Sequence, residues 1–182
     1  MAGGQGTRLD TDREKPLFEI DDHPLVGLVL DALEKSRVER IHAAVSPDTP
    51  ETTDYLETRD VNIVETPGEG YVADLQPALK RVSSPVLTVA ADLPLLTGNA
   101  VDRVLDQYAG TDAVQVCVPA ALKRQLGVSA DTTYDSAGRE VAPAGINIVT
   151  ETTTETMFLT YNARYAVNLN RLEDAAVAEA LR

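Results

Sequence analysis

Cysteine, lysine and long apolar runs are all scarce in this sequence, and each scarcity removes a class of protein. Cys117 is the only cysteine among the 182 residues, so no disulfide can form within the chain. Flanked by Val116 and Val118, its thiol reads as a buried strand residue and not as a reactive nucleophile. No apolar stretch approaches the roughly 20 residues that cross a bilayer, so no integral membrane segment is expected. No cleavable signal precedes the first motif, and a cytoplasmic protein is expected. His23 has no second His or Cys near it at metal-ligand spacing and reads as a turn residue. His42 reads as a hydrogen-bonded strand residue.

Lysine occurs only at Lys15, Lys35, Lys80 and Lys123, and the formal net charge is −13, which argues against nucleic acid as a partner. Arginine, Asp, Glu and Thr carry the surface instead. One reading of the acidity is a funnel for a cationic partner. The preferred one is a halophilic surface adapted to a salt-rich cytosol, where screening is nearly complete and net charge keeps the protein in solution. Against that background, Arg8 and Lys15 on one short segment stand out as cations kept for a ligand. The length and the 43% hydrophobic content fit one globular domain over residues 1–182.

The chain is organised around Met1-Ala2-Gly3-Gly4-Gln5-Gly6-Thr7-Arg8-Leu9 and the Glu14-Lys15-Pro16 that follows. Glycines at 3, 4 and 6 let the backbone approach a ligand that a Cβ would exclude. Successive amides in such a loop make an anion-binding concavity. A frayed N-terminus is the bland alternative, and Glu-Lys-Pro closing the loop argues against it. A Walker A loop is excluded, because Lys15 is followed by Pro16 and not by Ser or Thr entering a helix. A dinucleotide fingerprint is excluded, because Leu9 holds the place of its third glycine. What remains resembles the signature loop of nucleotidyltransferases, Gly-Gly-x-Gly-Thr-Arg followed by Glu-Lys-Pro. In that superfamily the loop wraps a nucleotide triphosphate and the lysine reaches its phosphates.

Downstream, apolar periodicity predicts a short strand at 17–20 and a helix from Pro24 to about Ser36. A strand follows at 40–45, a helix at 51–58, a strand at 61–64 and a helix at 71–82 with Val72, Leu75, Leu79 and Val82 inward. An apolar strand at 85–91 ends on Asp92. This alternation predicts an α/β fold, a Rossmann-like and mostly parallel sheet flanked by helices in a single domain. Ligands then sit beyond the carboxyl ends of the strands, where the loops 46–50, 66–70 and 92–94 lie. The second half predicts a helix at 99–108, a strand at 113–118, a short helix at 120–126 and a polar loop at 131–138 with a hairpin tip at 136–138. Strands at 141–149 and 157–161 and a helix at 172–181, capped by Asn168 or Asn170, complete it.

Asp92 after an apolar strand is costly to desolvate unless paired or on a metal, and magnesium beside phosphates needs only one or two carboxylates. The alternative is a cap for the following helix. Gly68-Glu69-Gly70-Tyr71 reads as a cover for a nucleobase or sugar, or as a tight turn. The small residues of Pro143-Ala144-Gly145-Ile146-Asn147 read as a floor for a large ligand, or as a β-bulge. Asn168 reads as an orienter of a phosphate or metal water, or as a helix cap.

Ser46-Pro47-x-Thr49-Pro50, Gly68-x-Gly70-Tyr71, Asp74-Leu75, Asp92-Leu93, Pro143-Ala144-Gly145-Ile146-Asn147 and Asn168-x-Asn170, in that order after the opening loop, make nearly the whole chain resemble the archaeal-type adenosylcobinamide-phosphate guanylyltransferases. The resemblance implies a homodimer that transfers GMP from GTP to adenosylcobinamide phosphate in cobalamin biosynthesis. It implies nucleotide binding by Ala2, Gly3, Gly4, Gly6, Thr7, Ser46, Thr49, Gly68, Gly70, Tyr71, Asp74, Gly145 and Asn147. Lys15, Arg8 and Asn168 would be catalytic, and Asp92 would hold magnesium. In that family a short apolar strand precedes the glycine loop, whereas here Met1 begins the loop, so the first strand is expected to be truncated by a late start. Two other readings stand beside this one. The acceptor could be molybdopterin or a sugar phosphate, or the chain could be a GTP-binding regulator without catalysis.

Overall fold

The computed structural model describes residues 1–4, 9 and 13–182. Lys15–Leu17 form a 3-10 turn, followed by β1 (Glu19–Ile20), β2 (His23–Pro24), α1 (Leu25–Glu34), β3 (His42–Val45), α2 (Pro50–Glu57), β4 (Asn62–Glu65) and α3 (Tyr71–Leu79). Then come β5 (Val86–Val89), α4 (Gly98–Leu105), β6 (Ala113–Pro119), α5 (Ala120–Leu126), β7 (Tyr134–Ser136), β8 (Arg139–Val149), β9 (Glu155–Leu159), α6 (Ala163–Ala166) and α7 (Leu172–Leu181). No helix among the described residues is long and apolar enough to cross a membrane.

The fold is α/β, a sheet flanked by helices, as the alternation predicts, but the main sheet is mixed and comes in two parts, beside a small antiparallel β1–β2 pair. β3 and β4 pair in parallel, while the larger sheet has the order β5-β8-β6-β9 with β7 on β8. β6 and β9 are parallel, and β8 runs antiparallel to both β5 and β6. β8, with its hairpin partner β7, is the exception to the expected parallel course. β7 and β8 form a hairpin whose turn holds Ala137 and Gly138 at positive φ, so β8 returns through the middle of the sheet against its neighbours.

β3 and β5 are not paired with each other. Met1 and Ala2 bridge them: Met1 N donates to Val89 O at 2.9 Å, Ala91 N to Met1 O at 3.1 Å, and Ala2 N to Ala44 O at 2.7 Å. Beside this bridge lies an apolar cavity of about 590 Å³ bounded by Val26, Leu30, Ile41, Val64 and Leu87. Leu75 and Leu79 border it too, so the predicted inward face of α3 is only partly covered, and Val72 is 73% exposed.

The core has three centres, and α1 feeds all of them. Val29 packs with Leu93, Val104, Val116 and Ile146, Leu25 with Leu9, Ile20 and Leu169, and Val26 and Leu30 with Ala2, Val45 and Leu56. Each fully buried Leu or Ile stabilises the fold by about 1.5–3 kcal/mol relative to leaving it exposed. Cys117 is fully buried, as its neighbours predict. Its thiol donates to Gln115 Oε1 at 3.3 Å and lies 3.3 Å from the Tyr134 hydroxyl, and burial raises its pKa.

Candidate active site

The loops at the carboxyl ends of β3, β4 and β5 meet around a cleft of about 430 Å³. Met1 to Gly4 form one side of it, Gly68 to Tyr71 a second, and Lys15 with Asp92 a third. The cleft thus brings together Ala2, Gly3, Gly4, Lys15, Gly68, Gly70, Tyr71, Asp74 and Asp92, all predicted from the sequence. Gly6, Thr7 and Arg8 lie outside the described residues.

Ser46 and Thr49 stand behind the wall, and Asp74 supports it from its edge. Ser46 is buried, and its hydroxyl donates to Gly3 O at 2.9 Å. A Cβ on Gly3 would come within 3.0 Å of Ser46 Cβ, so only glycine lets the two segments approach this closely. Thr49 is buried beneath the same turn, donating to Ser46 O at 3.2 Å. Asp74 is buried, and its Oδ1 accepts from the backbone N–H groups of Gly68 at 2.8 Å and Glu69 at 3.2 Å. It shapes the loop by holding main-chain amides. Tyr71 is 43% exposed, and desolvation of its hydroxyl near Thr88 and Asn147 raises its pKa. Asn147, predicted to bind the nucleotide, is not in the cleft lining, and its Nδ2 donates to Thr88 Oγ1 at 3.5 Å.

Glu14 explains the residue before the lysine. Its two oxygens accept from Glu51 N at 2.8 Å and Thr52 N at 2.7 Å, which caps the first turn of α2 with a negative charge. The 3-10 turn that follows directs Lys15 inward. Lys15 Nζ donates to Asp92 Oδ2 at 2.6 Å and to Asn170 Oδ1 at 3.1 Å. The pair is mostly shielded, with side chains 17% and 18% exposed. Asp92 does not cap α4, because Thr97 does so, its Oγ1 accepting from Ala100 N at 3.3 Å.

Behind Asp92 lies a polar network that the sequence reading largely missed. Asn168 Nδ2 donates to Asp92 Oδ1 at 3.3 Å and to Ala144 O at 3.1 Å, while its Oδ1 accepts from Lys123 Nζ at 3.1 Å. Leu169 N donates to Asp92 O at 2.9 Å, tying this segment to the end of β5. The predicted cap of α7 by Asn168 or Asn170 is wrong. Asp174, buried inside the first turn, supplies the cap instead, its Oδ2 accepting from Asn170 N and Arg171 N, both at 2.9 Å. Ser129 N donates to the other Asp174 oxygen at 2.7 Å, so a buried carboxylate is fully hydrogen-bonded, as burial of a charge requires. Gly145 forms a bulge in β8 at φ 77°, with a shift in register against β6. The bulge reading thus describes its backbone, and the same bulge sets Ala144 O against Asn168.

Charge decides what the cleft can hold. Among the described residues, Asp48, Glu69, Asp74 and Asp92 line it against one cationic side chain, Lys15. No group of three or more His, Cys, Asp or Glu among the described residues forms a self-sufficient metal cage. One carboxylate, with the Asn170 amide oxygen on the same lysine, fits magnesium, which keeps several waters and takes phosphate oxygens as ligands. It fits zinc poorly, since zinc takes nitrogen and sulfur ligands.

The family described as MobA-like NTP transferase domain matches residues 1–181. The chain is 32% identical over 158 residues to the adenosylcobinamide-phosphate guanylyltransferase of Methanocaldococcus jannaschii, covering 82% of this chain and 78% of that protein. Among solved structures, a protein described as a glucose-1-phosphate thymidylyltransferase of Bacillus anthracis superposes with a TM-score of 0.74 at 12% identity, over 99% of this chain and 92% of the other. The 4-diphosphocytidyl-2C-methyl-D-erythritol synthase of Anaerococcus prevotii gives 0.67 at 14% identity, over 99% and 94%.

Proposed function

The chain belongs to the MobA-like NTP transferase family and is a nucleotidyltransferase, and we propose that it transfers GMP from GTP to adenosylcobinamide phosphate. The observation that carries the reading is the Lys15–Asp92 pair, which shares one cleft with the glycines of the opening loop. The identity with the Methanocaldococcus enzyme over most of both chains supports guanine and the cobinamide acceptor.

An oxygen of the acceptor phosphate attacks the α-phosphorus of GTP in line. The bond from that phosphorus to the α,β-bridging oxygen breaks, pyrophosphate leaves with the electron pair, and adenosylcobinamide-GDP forms. A phosphate monoester has a second pKa of about 6, so the attacking oxygen is already anionic at neutral pH and no protein base is needed. The protein's task is positioning and charge stabilisation. Amides of Gly3 and Gly4 hold the triphosphate, and Lys15 exchanges Asp92 for phosphate oxygens. Nucleotidyltransferases of this type generally use a divalent metal. Asp92, with Asn168 fixing its second oxygen, would hold magnesium here, and the bound ion supplies positive charge to the departing pyrophosphate. Tyr71 and the Gly68–Gly70 loop cover the nucleoside. A homodimer with a salt-adapted surface belongs to the same proposal.

Pyrophosphate release in high salt tests this, with GTP or ATP and with adenosylcobinamide phosphate present or absent. Release that requires both GTP and that acceptor is expected. Release only with molybdopterin or a sugar phosphate moves the acceptor assignment. GTP binding without release for any acceptor makes the chain a regulator.

A further inference from the structure

Lys123 is one of four lysines in a strongly acidic chain, and it is the one that is buried, at 4% exposure. It projects from the middle of α5, a helix that follows β6 directly. Its ammonium donates to Ala166 O at 2.5 Å and to Asn168 Oδ1 at 3.1 Å. Both acceptors are neutral. Burial lowers its pKa, opposed by the charges of Asp174, Asp92 and Asp131. Burying a cation on neutral acceptors is costly, and a methionine would fill the same volume without that cost.

The arrangement gives the charge a use. An asparagine amide has an accepting end and a donating end of nearly equal size. An ammonium can only donate, so Lys123 dictates that Oδ1 faces it. Nδ2 then points to Ala144 O and to Asp92 Oδ1. Were the amide reversed, its oxygen would face the Asp92 carboxylate, an arrangement with no hydrogen to share. Lys123 thereby fixes the carboxylate and leaves Asp92 Oδ2 as the oxygen that meets Lys15.

We propose that Lys123 is a positioning residue that acts through Asn168 to orient Asp92 toward the metal-bound triphosphate. The proposal rests on the nucleotidyltransferase reading of the cleft. Outer partners of metal ligands typically contribute about 10–100-fold to metal affinity or activity.

The test is a double-mutant cycle with Lys123→Met, Asn168→Ala and the pair, read as GTP affinity by calorimetry with and without Mn²⁺. Circular dichroism and Tm establish folding. Should Lys123→Met not fold, Lys123→Gln, which keeps a shorter donor, carries the same cycle. Lys123→Met is expected to weaken Mn²⁺-dependent GTP binding by about 10–100-fold, while metal-free GTP binding changes by less than about threefold. The double variant should be no weaker than Asn168→Ala alone, because the two residues act in series. Equal losses with and without Mn²⁺, or additive losses in the double variant, would overturn the proposal and leave Lys123 as a tie between α5 and α6. The readout needs no acceptor. A cycle that behaves as expected beside a wild type inactive with adenosylcobinamide phosphate separates this inference from the acceptor assignment.

Discussion

The glycine side of the cleft and the Asp92 side are built by opposite means. On the glycine side the surface is main chain, and buried side chains shape it from behind: Ser46 on Gly3, and Asp74 on Gly68 and Glu69. On the Asp92 side the surface is side chain, and main chain anchors it from behind: Leu169 N on Asp92 O, and Ala144 O and Ala166 O under Asn168 and Lys123. Main-chain amides cannot be mutated away and suit a ligand common to many relatives, a triphosphate. Side chains set charge, and charge has to change during the reaction. The difference teaches that substitutions on the two sides should fail differently, in binding on the first and in turnover on the second.

The largest effect is expected from Lys15→Ala, which removes the ammonium paired with Asp92 and, on the proposed mechanism, one donor to the leaving group. It should lower kcat/KM by about 10²–10³-fold, mostly through kcat, the scale of one lost preorganised donor. Near-normal pyrophosphate release by that variant would remove the lysine from the mechanism. Asn168→Ala should lower kcat by about 10–100-fold with a raised magnesium requirement, measured by titrating the ion at saturating GTP. Asp74→Ala sharpens the contrast from the other side. It frees two loop amides, so the KM for GTP should rise while kcat falls less than threefold or so, and stability should drop by about 1–3 kcal/mol, seen in urea unfolding. A fall in kcat alone would erase the distinction between the two sides. The smallest effect is expected from Thr97→Ala, away from the cleft, which should cost about 0.5–2 kcal/mol as a lost helix cap and leave kinetics unchanged.

The same division explains what the sequence reveals. The glycine side is local, since Gly3, Gly4, Gly68 and Gly70 sit in short motifs whose spacing alone carries meaning. Apolar periodicity placed most helices and strands within a few residues. The Asp92 side is assembled from contacts such as Lys15 with Asn170 and Lys123 with Asn168, 155 and 45 residues apart. No local pattern encodes such pairs. The scarcity of lysine was a usable signal for Lys123, because an acidic surface gives a lone cation little reason to be buried. Asp174 was hidden because a carboxylate in the first turn of α7 looks like ordinary helix chemistry, whereas here it holds four donors and displaces the asparagines from the cap. The antiparallel course of β8 was hidden as well, since small residues around Gly145 signalled a bulge or floor without giving the direction of the strand.

A crystal structure with a non-hydrolysable GTP analogue and magnesium tests the central claim most directly. The account predicts the triphosphate in the cleft between Gly3–Gly4 and Asp92, with Lys15 moved from Asp92 onto phosphate oxygens and the ion on Asp92. A nucleotide bound elsewhere, with the Lys15–Asp92 pair intact, would contradict it.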